Sequence, residues 1–212
     1  MNILPDWLRT WYINLIQPAI KIMIKYRLNP NWFTTLGLII SAVSAYFFAI
    51  GSHRIAGAIY LLAGTFDIID GKVARSSGRV TKFGAVYDST LDRYAEMLVL
   101  FGLVFYYSHL QSFVVFNFDW SIVGAVAAAV TLGGSIMVSY IRARAESLGL
   151  DCKVGLMQRP ERVVYLGFGA IFHEYALLVV LVIIAILSNA TAIQRLVHVR
   201  KQALASSSAP NN

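Results

Sequence analysis

The sequence predicts an all-α integral membrane protein, six transmembrane helices preceded by an amphipathic helix lying in the membrane interface. Three observations carry this reading. Of the 212 residues, 58% are hydrophobic and only 14% charged, with a mean hydropathy of +0.63, which is unlike a soluble domain. Apolar runs close to the ~20 residues that cross a bilayer recur along the whole chain. The 18 Lys and Arg residues are not scattered: four lie in residues 1–30, four in 71–83, five in 142–162 and three in 195–201.

Basic segments of a membrane protein stay on the cytoplasmic side, so an even number of spans separates successive blocks, and three hairpins give six. Both termini and the basic loops are then cytoplasmic, in an inner membrane. The net charge of +7, distributed this way, serves a lipid surface and argues against a nucleic-acid partner. The single cysteine, Cys152, has no partner for an intramolecular disulfide.

Element by element, residues 1–30 are interrupted by Pro5, Pro18 and charges, so they do not form a span. Trp7, Leu8, Trp11, Leu15, Ala19, Ile22 and Met23 recur at helical spacing, with Arg9, Lys21 and Lys25 available to anionic headgroups. Asn31 is a candidate N-cap for a first span from Trp32 to about Gly51. A second begins near Arg54, a third covers roughly Gly84 to Ser108, and a fourth Ser121 to about Glu146. Residues 160–197 form either one overlong helix or two short ones. Two are expected, broken near His173 and Glu174, because one helix would bury those groups in hydrocarbon and put Arg195, Arg200 and Lys201 on the wrong side. The fifth span is then only about 14 residues, roughly 21 Å. Residues 1–202 make one membrane domain, with 1–30 as the interfacial helix and 31–202 as the bundle, and 203–212 form a disordered tail.

The stretch FDIIDGKVARSSGRVTKFGAVYDSTLD, residues 66–92, departs from this apolar pattern with four aspartates. Asp67 and Asp70 share one helical face, as do Asp88 and Asp92. A hairpin of the two helices brings both pairs together at the cytoplasmic rim. Each intramembrane charge costs about 2.5–3.5 kcal/mol unless it is compensated. Lys72 and Arg75 are long enough to snorkel away into the headgroups, whereas two divalent cations would balance four carboxylates. An all-oxygen donor set suits Mg²⁺, with Mn²⁺ also possible, and not structural zinc. Gly71 and Gly84 leave room for a substrate against the backbone. Such a centre suits displacement at phosphorus.

Asp67, Asp70, Gly71, Ala74, Arg75, Gly84, Asp88 and Asp92 spell DxxDGxxAR, eight residues, then GxxxDxxxD. This resembles, without a mismatch, the motif of the CDP-alcohol phosphotransferases, membrane enzymes of phospholipid synthesis with an interfacial helix and six spans. The resemblance implies a homodimer in which Asp67, Asp70 and Asp88 hold two Mg²⁺ ions, with Asp92 beside them as general base. It implies that Gly71, Arg75 and Thr81 contact the CDP moiety of CDP-diacylglycerol, and that Asn31, Trp32, Phe33 and Thr34 close the nucleotide site.

Several arginines could together hold a phosphorylated acceptor, since a guanidinium grips phosphate through two donors. SYIRARAE followed by RPER is similar to the branch that makes phosphatidylinositol phosphate and CMP from CDP-diacylglycerol and inositol phosphate. By that resemblance Arg142, Arg144, Arg159 and Arg195 bind the acceptor phosphate. Within the family the alternative is a phosphatidylglycerophosphate synthase using glycerol 3-phosphate. From another class, a cation or proton transporter would also keep intramembrane carboxylates, but nearer the midplane. Arg162 reads as an interfacial arginine, and Arg93 and Glu96 as helix-packing or interface residues.

Overall fold

The computed structural model describes residues 6–26, 28–110, 114–115 and 118–207. The chain forms α1 (Asp6–Lys25), α2 (Pro30–Ala49), α3 (His53–Ser76), α4 (Lys82–His109), α5 (Ser121–Ser147), α6 (Arg159–Phe172) and α7 (Glu174–Ser207). Between α4 and α5, β1 (Val114–Val115) pairs antiparallel with β2 (Phe118–Asp119). This small departure from an all-helical chain falls where β-branched and aromatic residues replace helix formers. α2 packs on both α3 and α4, α4 on α5, α5 on α7, and α6 lies between α3 and α7.

Among the described residues, three helices are long and apolar enough to cross a membrane: α2, α5 and residues Glu174–Ala205 of α7. Their surfaces are patterned for lipid. On α2, Leu36, Ile39, Val43 and Tyr46 are exposed at helical spacing, whereas Ser41, Ser44 and Ala45 are buried. On α7 the same inversion sets Val179, Ile183 and Ile186 outside, with Ser188 and Thr191 inside. Small and weakly polar residues turn inward because, without water, helices are held by close backbone approach and by hydrogen bonds between them. Ser44 donates to the Ala56 carbonyl across α2 and α3 at 2.8 Å.

Two crossings show how close the backbones come. A Cβ on Gly102 of α4 would stand 2.4 Å from the Ala45 carbonyl oxygen of α2, and one on Gly57 of α3 would stand 2.5 Å from the Gly167 oxygen of α6. The second crossing matters for function, because it draws α6, and Arg159 at its first position, against the aspartate-bearing α3.

Helix ends follow local chemistry, with two corrections to the sequence expectation. The cap of α2 is Asn29, whose side chain accepts from the Asn31 amide at 3.1 Å. Pro30 takes the first helical position, where its missing N–H and fixed φ are no handicap. Asn31 is therefore not the cap, and its side chain is free for another use. At the other end, α7 continues to Ser207, five residues into the segment expected to be disordered, since Ala203, Leu204 and Ala205 are strong helix formers. Residues 208–212 lie outside the described residues.

The break between α6 and α7 falls at His173, whose backbone is extended (φ −168°, ψ 156°). The α6 helix is 14 residues long, as the charge argument required. α1 runs through Pro18 and leans on α3 through Ile20, which packs with Phe33, Ile69 and Val73, and through a Tyr12–Thr65 hydroxyl contact. Trp7, Trp11, Leu15 and Ile22 remain exposed; the side chains of Leu8 and Arg9 lie outside the description.

Gly102→Val should be destabilising by about 1–3 kcal/mol through overpacking against Ala45, read as a lower thermal unfolding midpoint in detergent. An unchanged midpoint would mean that α2 and α4 part without cost.

Candidate active site

The motif aspartates stand on adjacent helices at one end of the bundle. Asp67 and Asp70 lie in the C-terminal half of α3, and Asp88 and Asp92 in the N-terminal half of α4. Asp67 and Asp88 come within electrostatic range of each other and of both Asp70 and Asp92. Asp70 is buried, and its Oδ2 accepts a 2.7 Å hydrogen bond from Thr34 Oγ1 on α2. Gly37 of α2 lies so close to Asp67 that a Cβ there would sit 3.1 Å from Oδ1. The aspartate hairpin is thus backed by α2, and Thr35 Oγ1 adds a 2.9 Å hydrogen bond to the Tyr87 hydroxyl on α4.

A cavity of about 240 Å³ opens beside the cluster. Asn31, Thr34, Gly71, Arg75, Thr81 and Gly84 line it, with Asp70 and Asp88 forming its acidic side. Each has a structural reason to be there. Asn31 is released by the Asn29 cap. Thr81 caps α4, its Oγ1 accepting from the Gly84 amide at 2.9 Å. Arg75 folds back over Gly71, where a Cβ would stand 3.1 Å from Nη2. Two residues expected here are elsewhere: Trp32 is 72% exposed, and Phe33 is buried in the small core beneath α1. Consecutive helical residues point in different directions, so a four-residue segment cannot present all its side chains to one cavity. Arg79 also lines the cavity and was not singled out from the sequence.

A larger cavity, about 420 Å³, lies at the α2–α3 and α6–α7 turns. It contains His53, His173 and Glu174 but none of the motif aspartates, so its size does not make it the reaction site.

The four arginines expected to hold a phosphate are in three different situations. Arg159 reaches into the aspartates, with Nη1 2.7 Å from Asp67 Oδ2 and 2.9 Å from Asp92 Oδ1. Arg195 is buried, donating from Nε to the Val154 carbonyl at 2.7 Å and from Nη1 to the Val138 carbonyl at 2.6 Å. Two of its three nitrogens are thus committed to main chain. Arg142 and Arg144 are exposed, and Arg142 pairs with Glu146 one turn on, at 2.8 Å.

Arg195 belongs to a set of ties that fasten the segment between α5 and α6 to α7. Met157 N donates to Thr191 Oγ1 at 3.0 Å. Gln202 exchanges hydrogen bonds with the Asp151 main chain at 3.1 and 2.9 Å. Gly155, at φ 140°, passes over Thr191, where a Cβ would be only 2.5 Å away.

Arg162 overturns its sequence assignment as an interfacial residue. It is 3% exposed and forks onto Glu96, with Nη2 to Oε2 at 2.9 Å, while Nη1 donates to the Met157 carbonyl at 3.2 Å. An arginine needs a buried acid to be drawn inward, and Glu96, one helical turn past Asp92, was the signal that could have found it. This pair locks α6 to α4 and so fixes the backbone from which Arg159 projects.

A bundle of apolar helices with an acidic cluster at one end and a polar cavity beside it defines a membrane-embedded group-transfer enzyme. Residues 27–205 match the model of the CDP-alcohol phosphatidyltransferase family, and the chain belongs to that family. It is 35% identical over 196 residues to the phosphatidylinositol phosphate synthase of Corynebacterium glutamicum, covering 90% of this chain and 86% of that one. It is 30% identical over 196 residues to the archaetidylinositol phosphate synthase of Methanothermobacter thermautotrophicus, covering 88% and 93%. The solved Mycobacterium tuberculosis phosphatidylinositol phosphate synthase with CDP-DAG bound superposes with a TM-score of 0.76 at 30% identity, over 88% of this chain and 94% of that one. The same enzyme in complex with manganese and citrate gives 0.74 at 32%, over 86% and 87%.

Glu96→Ala should strand Arg162 in the interior and cost about 3–5 kcal/mol, the penalty for breaking one side of a buried ion pair. A detergent unfolding curve would register it, and a near-wild-type midpoint would deny the pair its role.

Proposed function

We propose that this enzyme transfers the phosphatidyl group of CDP-diacylglycerol to inositol phosphate, giving phosphatidylinositol phosphate and CMP. The observation that carries this is the cavity in which Asn31, Thr34, Gly71, Arg75 and Thr81 meet Asp70 and Asp88: five residues expected to hold a CDP moiety open onto the carboxylates that would act on its phosphates. The acceptor is argued from the arginines and from the relatives, whose names share inositol phosphate and differ in the lipid.

In this reading α2 to α7 provide six spans, the shortest being α6. Their basic loops and the aspartate end face the cytoplasm, and α1 lies in the interface with Trp7 and Trp11 in the headgroups. Asp67, Asp70, Asp88 and Asp92 fit a pair of Mg²⁺ or Mn²⁺ ions by chemistry, since all their donors are carboxylate oxygens. When bound, such ions would neutralise charge on the transferred phosphate group. The rest falls to the chain's own groups. Arg75 and the Gly71 backbone hold the nucleotide end. Asp92, with Arg93 beside it at 3.7 Å, takes the proton from the acceptor hydroxyl as its oxygen attacks the β-phosphorus. The bond to CMP breaks, and CMP leaves with the electron pair. Exposed Arg142 and Arg144, with Arg159 and the remaining nitrogen of Arg195, hold the acceptor's phosphate.

Purified enzyme with CDP-diacylglycerol and Mg²⁺ should release CMP when given inositol phosphate. Release with glycerol 3-phosphate alone would move the acceptor assignment, and no release with either would end the transferase reading. Asp92→Asn should abolish turnover, with metal and CDP-lipid binding retained; full activity would remove Asp92 as the base. Arg144→Gln should raise the acceptor KM with little change in unfolding midpoint. Arg195→Gln should raise KM and lower the midpoint as well, because its nitrogens also hold main-chain carbonyls.

A further inference from the structure

We infer that Arg159 is a built-in counter-cation of the aspartate cluster, one that a divalent ion must displace, so that ion binding and the release of Arg159 toward an anion are thermodynamically linked. The inference deepens the proposed function and rests on its reading of the four aspartates as a divalent-ion site. It starts from where the guanidinium stands. Nη1 alone bridges Asp67 and Asp92, one carboxylate from each motif pair, and so takes the position from which both would coordinate. As the side chains are placed, among the described residues no three carboxylate, histidine or cysteine groups converge to hold a metal. Arg159 is the cation standing in their way.

The contrast with Arg162, one helical turn on, shows which of the two is built to move. Arg162 uses Nε and Nη2 on Glu96 and its third nitrogen, Nη1, on the Met157 carbonyl, at 3% exposure. That is a full fork, and it anchors α6. Arg159 holds both aspartates through a single nitrogen, its Nε is buried with no hydrogen-bond partner, and its side chain is 20% accessible. An unsatisfied buried donor costs free energy in the paired position, and the long side chain can swing while Arg162 keeps the backbone still.

Charge decides the direction. Arg159, even with Arg93 at 3.7 Å from Asp92, leaves the four carboxylates in excess, so the cluster still attracts cations. Two divalent ions would match the carboxylates without it, and Arg159 would then be an uncompensated cation at the rim, suited to the phosphate of an acceptor. A group that cannot serve both partners at once couples them: filling the ion site raises acceptor affinity, and by reciprocity the acceptor raises ion affinity by the same factor.

The test is Mn²⁺ titration, by calorimetry, of the full-length enzyme in detergent after chelator treatment. Arg159→Gln should bind Mn²⁺ more tightly than wild type, by about fivefold or more, and Arg159→Lys, which keeps the charge, should stay near wild type. Equal or weaker Mn²⁺ binding by Arg159→Gln overturns the inference. If Arg159→Gln does not give a folded, monodisperse preparation, the wild type alone suffices: inositol phosphate should tighten Mn²⁺ binding, and its failure to do so overturns the inference equally. Wild type that binds no Mn²⁺ at all refutes the ion-site reading instead.

Discussion

Four carboxylates at the end of an apolar bundle repel one another and lose hydration, and the surrounding structure answers that constraint. Thr34 on α2 donates to Asp70. Arg159 on α6 joins Asp67 to Asp92. Arg162, also on α6, neutralises Glu96 one helical turn below. The charges of α3 and α4 are therefore held from two sides, by the preceding helix α2 and by α6 from far along the chain, and the site is complete only when α6 has docked.

That assembly depends on the small residues. Gly57 and Gly167 let the α3 and α6 backbones nearly touch, which sets the reach of Arg159. Ala45 and Gly102 do the same for α2 and α4, which with α3 line the cavity beside the aspartates. In water a bundle could bury large side chains to gain stability, but lipid offers no such gain, and close approach with dispersion and hydrogen bonds takes its place.

Helices, their breaks and the acidic motif were legible in the sequence, because each leaves a periodic or charge signature local to its own segment. The break at His173 was found from charge placement alone. What remained hidden were pairings between segments and the choice among equivalent neighbours. Asn29 and Asn31 are both good caps, and only the position of Pro30 separates them. Trp32 and Phe33 flank cavity residues in sequence, yet helical rotation turns one outward and the other into the core. Four arginines looked alike as a charge set, but their partners, two aspartates, two carbonyls, a local glutamate and solvent, are fixed by the fold. The burial of Arg162 is hidden from a local reading for the same reason: its acid lies 66 positions away.

The ties made by Arg195, Thr191 and Gln202 to the segment between α5 and α6 bear on how such an enzyme can diversify. On the proposed reading, Arg142 and Arg144 could be exchanged for other side chains, and the acceptor with them, without disturbing a packed contact. Arg195 has no such liberty, since any replacement also unfastens Val138 and Val154. Tolerance to change is thus unevenly distributed among these arginines: the exposed pair stands clear of the packed interior, whereas the buried one fastens two segments at once.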